Sequence, residues 1–392
     1  MNQTVQKTPR IEVVDALRGF AVMCILLLHN VEHFIFSVYP TDSPAWLATM
    51  DNVTFNLAFN LFGGKAYAIF SLLFGFTFYV QYENQRLKGR DFGPRFLWRL
   101  LLLAGIATVN ASIFPGGDVL MLYAIMGVSL FVVRHWSNRA LLVAAIFFLL
   151  QPFEWGRYLL TLVNPSYAPT DFGMGAMYGE LGEVIQNGTF LQFLWASATT
   201  GQVASLLWAL GGGRMEQTVG IFILGYYIAR RQLFVSSERN TRLWIRVLVT
   251  CAILFSPLYC LKVLVMQGAT SDVQQTVGAA IDMWQKLAFT FVWVSSFILL
   301  YQSEGFRCRV AALRSYGRMS LTNYVTQSLI GMLVYFPFGL YLAPHLGYTV
   351  SLLLGIPMFL VQLAFCKWWL SRHKQGPLEA LWHKLTWIYK KD

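Results

Sequence analysis

Arg18 and His29 stand eleven residues apart in the run DALRGFAVMCILLLH, which opens at Asp15. Eleven helical steps of about 100° return a side chain to within about 20° of its starting direction, so the two share one helix face, roughly 16 Å apart. Asp15, Val22, Ile25 and His33 extend the same stripe. A guanidinium at one end suits a phosphate or carboxylate. An imidazole at the other titrates near neutral pH and can serve as general base or acid. Glu32 and His33, three and four residues beyond His29, are placed to orient its ring. The bland alternative for His29 is a hydrogen bond to a neighbouring helix, and for Arg18 an interfacial anchor paired with Asp15.

Four other groups of residues carry chemistry of the same kind. Lys65 follows two glycines in NLFGGKAYAIFSLLFGF, and Arg214 and Glu216 follow three in GGGRMEQ. Glycine before a charge in an apolar segment points to a helix break lining a wet or protein-filled space; snorkelling of Lys65 is the alternative. The run GRMSLTNYVTQS places Asn323, Tyr324 and Gln327 in one polar patch, suited to binding a polar substrate or steadying an oxyanion, or simply to interhelical hydrogen bonds. Asp118, in FPGGD, stands where a helix N-terminus favours a carboxylate.

The elements that must position these residues are apolar helices. Only 12% of the chain is charged and 56% is hydrophobic, about half the charge of a soluble domain. The net charge of +11 reads as membrane topology before nucleic-acid binding, because excess Lys and Arg in an apolar chain first sets the orientation of its spans. The five cysteines have no metal-ligand spacing, and neither a metal nor a disulfide is expected. Apolar spans fall at about 17–37, 53–82, 100–114, 118–134, 140–163, 203–229, 244–266, 278–302, 318–337 and 347–370. Nearly all Lys and Arg then lie on one side, Arg157 being the main exception. The positive-inside rule therefore predicts an all-α, polytopic transmembrane bundle of about ten spans with both termini cytoplasmic. It would be a single integral-membrane domain over 1–392. Residues 164–202, without Lys or Arg, read as an external loop with an interfacial helix near Thr189–Ser197; residues 371–392 read as a basic cytoplasmic tail.

Five segments together, DALRGFAVMCILLL, GGKAYAIFSLLFGF, GGDVLMLYAIMG, GRMSLTNYVTQSLI and QGPLEALWHKLTW, resemble the YeiB family of bacterial polytopic membrane proteins. That family in turn is similar to integral-membrane acyltransferases of the O-antigen acetylase and heparan glucosaminide acetyltransferase types. The acetylase type carries an Arg, ten residues, then a proposed catalytic His in its first span, which Arg18 and His29 match. YeiB-like chains are expected to carry Asn where His29 stands, so this chain departs from them towards the acyltransferase pattern.

The resemblance implies a bacterial inner-membrane protein that takes an acyl group, with acetyl the expected one, from a cytoplasmic acyl-CoA to a sugar or envelope-glycan acceptor. His29, Glu32, Lys65, Asn323 and Tyr324 would be catalytic. Arg18, Arg95 and Arg99 would hold the CoA phosphates. His33, Asp118, Arg214, Glu216 and Gln327 would meet the acceptor. A transporter of a small polar or anionic solute uses the same intramembrane charges differently, and a pH-responsive scaffold needs only His29.

Overall fold

In the computed structural model, which describes residues 11–164 and 166–388, the chain is all-helical. In order, the helices are α1 (Glu12–Val31), α2 (Ala45–Leu61), α3 (Lys65–Arg86), α4 (Gly93–Ile113), α5 (Leu120–Met126), α6 (Val128–Val133), α7 (Asn138–Leu149), α8 (Pro152–Val163), α9 (Met174–Asn187), α10 (Phe190–Ala196), α11 (Gln202–Gly211) and α12 (Arg214–Arg230). The second half holds α13 (Glu238–Gly268), α14 (Ser271–Val273), α15 (Ala279–Tyr301), α16 (Glu304–Arg309), α17 (Ala311–Arg318), α18 (Ser320–Tyr335), α19 (Tyr348–Arg372) and α20 (Pro377–Thr386). Residues 1–10 and 389–392, with Lys7, Arg10, Lys390 and Lys391, lie outside the described residues.

Five stretches are long and apolar enough to cross a membrane: Ala45–Arg86, Gly93–Ile113, Glu238–Gly268, Ser271–Tyr301 and Tyr348–Arg372. The pair α7 and α8, bent by 47°, makes a sixth if it is one span. This is fewer than the about ten spans expected, because some apolar segments are broken and others, α12 with 17 residues and α18 with 16, are short. Expected span five bends at Gln151, which takes a left-handed φ of 62° before Pro152. Span six breaks at Gly213, and a break at Gly64 lies within the Ala45–Arg86 stretch, with φ of 67° and 76° that glycine adopts without strain. Lys65 and Arg214 are consequently the first residues of α3 and α12 rather than mid-span charges.

The region 164–202 is not a loop. It holds α9, α10 and a π-helical turn at Ser197–Gly201. The helix expected near Thr189 is α10, started by a capping box between Thr189 and Gln192.

Side-chain ties gather the basic segments at one end of the bundle. Arg314 pairs with Glu12 at 2.6 Å, and Arg134 with Asp91 at 3.7 Å. Arg318 donates to Lys374 O, Trp382 to Arg99 O, and Arg230 to Trp136 O. At the other end Thr349 N donates to Asp51, His33 meets Ser351, and Tyr178 donates to Gly116 O. Arg157, the outlying charge, is buried at this second end and neutralised by Glu154 at 3.0 Å. Between the ends α3 and α12 pack backbone to backbone. A Cβ at Gly75 would collide with Phe222 O, and one at Gly225 with Leu72 O.

Candidate functional site

The apolar run after Arg18 carries α1 to Val31, and then the chain turns sharply. His33, Phe34 and Ile35 have φ of 47°, 53° and 68°, three successive non-glycine residues in the left-handed region at about 1–2 kcal/mol each. Packing holds this turn. The His33 ring is fully buried, stacked between Tyr39 at 4.4 Å and Tyr335 at 4.5 Å. Its two nitrogens meet Val38 O at 2.9 Å and Ser351 Oγ at 2.8 Å. His33 thus lies beyond the helix, off the Arg18–His29 stripe, with both nitrogens committed; its place is structural rather than substrate-binding.

The turn folds Phe34 back over His29, with ring centroids 5.7 Å apart. Phe114 at 4.8 Å and Tyr324 at 6.3 Å complete an aromatic surround. His29 Nδ1 is buried with no hydrogen-bond partner. Tyr324 accepts the N–H of Val119 at 3.3 Å and interacts with Asp118. Asp118 Oδ1 accepts the N–H of Leu120 at 3.0 Å, and the carboxylate also interacts with the side chains of Tyr324 and Asn110. Asn110 is fully buried one turn before Phe114; Gln327, also buried, has both amide atoms without a hydrogen-bond partner. Gln327 lies on the face of α18 that runs from Tyr324 to Gly331, where Gly331 abuts Phe34. Orphaned buried polar atoms are uncommon and costly. Here they are His29 Nδ1 and the Gln327 amide, on the elements whose aromatic rings surround the imidazole.

Glu32 caps the end of α1 and feels the charge of Arg214, with no described hydrogen bond to His29. Arg214 stacks on Trp208 at 3.9 Å and Tyr67 at 4.9 Å. Lys65 is buried, donates to Phe59 O at 3.3 Å, and lies near Lys286, Asp282 and Lys262. Lys262 and Lys286 both pair with Asp282. No described contact joins Lys65 to His29, so the structure does not group it with the imidazole. Asn323 is also remote in role. Its amide donates to Tyr316 O at 3.0 Å and accepts from Cys366 at 3.2 Å, which ties α17, α18 and α19 together. Glu216 accepts the N–H of Phe153 at 3.0 Å and helps fix the α7–α8 bend.

At the Arg18 end a cavity of about 330 Å³ opens between α1, α3, α4, α17 and α20. Arg18, Arg99, Arg318, Lys374 and His383 line it, with Phe70, Phe74, Phe78, Phe96 and Trp382 as walls. Arg18 donates to Thr77 at 2.8 Å and pairs with Asp15 at 3.2 Å. Arg99 stacks over Trp382 at 3.8 Å. The cavity's carboxylate, Glu379, caps the N-terminus of α18, accepting from Leu321 N at 2.7 Å and Thr322 N at 3.1 Å. Burial and the neighbouring Arg99 hold His383 below its ordinary pKa. Arg95 is not a lining residue. It packs over Trp387 at 4.2 Å and donates to Thr386 O. The sequence reading named Arg18 and Arg99 but not Arg318, Lys374, His383 or Asn110. The basic tail was the available signal for Lys374 and His383; nothing in the sequence singled out Asn110.

A family model described as "Protein of unknown function (DUF418)" matches residues 228–389. That segment is similar to the family so described. The DUF418 segment supplies Arg318, Tyr324, Gln327, Lys374 and His383, while Arg18 and His29 come from outside it. The kinship with YeiB extends along the whole chain. It is 27% identical to "Uncharacterized protein YeiB" of Escherichia coli (strain K12), covering 95% of each. It is 25% identical to "Uncharacterized protein YxaH" of Bacillus subtilis (strain 168), covering 97% of this chain and 94% of that protein. No solved structure matches the chain.

Proposed function

We propose that the protein is an integral-membrane acyltransferase of the bacterial inner membrane, with acyl-CoA as donor and a hydroxylated sugar or envelope glycan as acceptor. The observation that carries this reading is the unpartnered buried Nδ1 of His29, on the helix whose other end enters the basic cavity. The basic end of the bundle is read as cytoplasmic, with ten segments running between the two ends and the termini inside. The cavity arginines would hold the phosphates of CoA and its aromatic walls would take the adenine.

His29 would accept the proton of the acceptor hydroxyl as its oxygen attacks the thioester carbonyl. The amide N–H group of Gln327, which has no partner, would donate to the resulting oxyanion. Collapse expels the CoA thiolate, which takes the proton back from His29. Packed apolar residues of α1, Val22 and Ile25 among them, lie between cavity and imidazole, so transfer requires the donor's acyl arm to open that interval.

The test is incubation of detergent-purified protein with labelled acetyl-CoA, wild type against His29→Ala. The expected result is equal acetyl-CoA binding and at least a hundredfold loss of acyl transfer or CoA release in the variant. Absence of acetyl-CoA binding to the wild type overturns the reading. One observation favours a second function, transport of a small anion: Lys65, Lys262, Lys286 and Arg214 gather near Asp282 at the second end. Uptake into proteoliposomes that persists in His29→Ala without acyl-CoA would select it.

A further inference from the structure

A second, larger cavity lies on the flank of the bundle, away from both His29 and the Arg18 end. It has a volume of about 920 Å³, at the upper end of the roughly 300–1,000 Å³ of small-molecule sites. One wall is the first three turns of α13, the other is α12 with Leu142 of α7, and Phe291 of α15 also lines it. Its two halves differ in chemistry. At the mouth stand Arg231, Arg239, Arg242 and Arg246 against the single carboxylate Glu238. Glu238 pairs with Arg242 at 2.9 Å, and among the described residues Arg231, Arg239 and Arg246 have no ion pair. Further in, the lining is apolar: Leu142, Leu224, Ile228, Val247 and Phe291.

The mouth is rigid. Trp244 is buried, stacks on Phe234 at 5.6 Å and donates to Leu233 O at 2.8 Å. Asn240 donates to both Gln232 O at 3.1 Å and Val235 O at 2.8 Å. The loop that sets the arginines is thus tied to α13 by side chains rather than left to close on a ligand. α13 itself packs along α15, and its apolar middle is uncovered on the remaining sides. The groove therefore opens sideways, towards the layer that surrounds the bundle.

A free anion uses only the mouth of such a groove, and a neutral lipid only its depth. We propose that it is a binding site for one anionic phospholipid, its phosphate held by Arg231, Arg239 and Arg246 and its acyl chains lying along α12 and α13. Guanidinium groups match phosphate oxygens geometrically, and basic recesses between membrane helices take anionic headgroups. The proposal does not depend on what His29 does.

Native mass spectrometry of the full-length protein decides it, using phosphatidylglycerol and phosphatidylcholine of identical chains. Wild type is expected to retain phosphatidylglycerol at least fivefold over phosphatidylcholine. Arg239→Gln with Arg246→Gln, both at exposed positions, should bring the two lipids to parity. Val247→Trp, which fills the apolar half and leaves every arginine, should lower retention of phosphatidylglycerol. Millimolar inorganic phosphate should not displace the lipid. Equal retention of both lipids by wild type, an unchanged preference in the double variant, or full displacement by phosphate would each overturn the proposal. An unchanged thermal-unfolding midpoint in the double variant shows that the fold is intact.

Discussion

At the scale of single residues, two arginines make opposite demands on a test. Arg318 lines the Arg18 cavity, whereas Arg95, as basic and as close in sequence to Arg99, lies flat on Trp387. Arg318→Ala should weaken acetyl-CoA binding about tenfold, the loss of one charge-assisted contact. Arg95→Ala should leave affinity within about twofold while lowering thermal stability, because the contact it loses is a stacking one. Equilibrium dialysis against labelled acetyl-CoA separates them. His383 adds a dependence on pH. Burial and Arg99 lower its pKa, so it is neutral at pH 7 and gains charge only below its ordinary titration range. Protonation adds a cation to a phosphate-binding cavity; affinity should therefore rise as pH falls through that lowered value. The rise should vanish in His383→Gln, and a rise of equal size in that variant would assign it to another group.

At the scale of elements, the bundle depends on close backbone approach between α3 and α12. Gly75→Leu drives a side chain into Phe222 O and should cost about 1–3 kcal/mol or more of folding stability, seen as a lower midpoint in a detergent thermal-shift series. Gly105 on α4 has nothing near its missing Cβ, and Gly105→Ala should be neutral or slightly stabilising. Sequence could locate such elements better than their ends. The apolar periods found α1, α4, α13, α15 and α19, because a long hydrophobic run has one way to satisfy its backbone in lipid. The glycines before Lys65 and Arg214 announced breaks, yet gave no sign of which way the chain would turn. His33 failed as part of the α1 stripe for a similar reason. The helix stops at Val31 because distant side chains, Tyr335 and Ser351, capture the His33 ring, and no local propensity records that. Residues 164–202 were misread because their helices, α9 and α10, are short and pack on the bundle rather than crossing it.

At the scale of the whole molecule, charge was the most legible signal. Lys and Arg recur in the segments between alternate apolar runs, and the structure gathers those segments at a single end through contacts the sequence could not name, such as Arg314 with Glu12 and Arg318 with Lys374. Which side of the membrane that end faces follows from the positive-inside rule alone, and it decides whether a cytoplasmic donor could reach Arg18 at all. The chain carries its own reporter. Cys308 is exposed in α16, at the basic end, while Cys24 and Cys366 are buried. Glu180 is exposed on α9, which docks through Tyr178 at the opposite end. With Cys251 and Cys260 changed to Ser, Cys308 should resist an impermeant maleimide in intact spheroplasts and react once they are permeabilised. Glu180→Cys, in a chain that also carries Cys308→Ser, should react before permeabilisation. The reverse pattern would turn the protein over and leave the Arg18 cavity facing a compartment without acyl-CoA, ending the acyltransferase proposal while sparing the anion-transport one. Equal reactivity of both positions in intact cells would instead remove the two-ended arrangement on which either function depends.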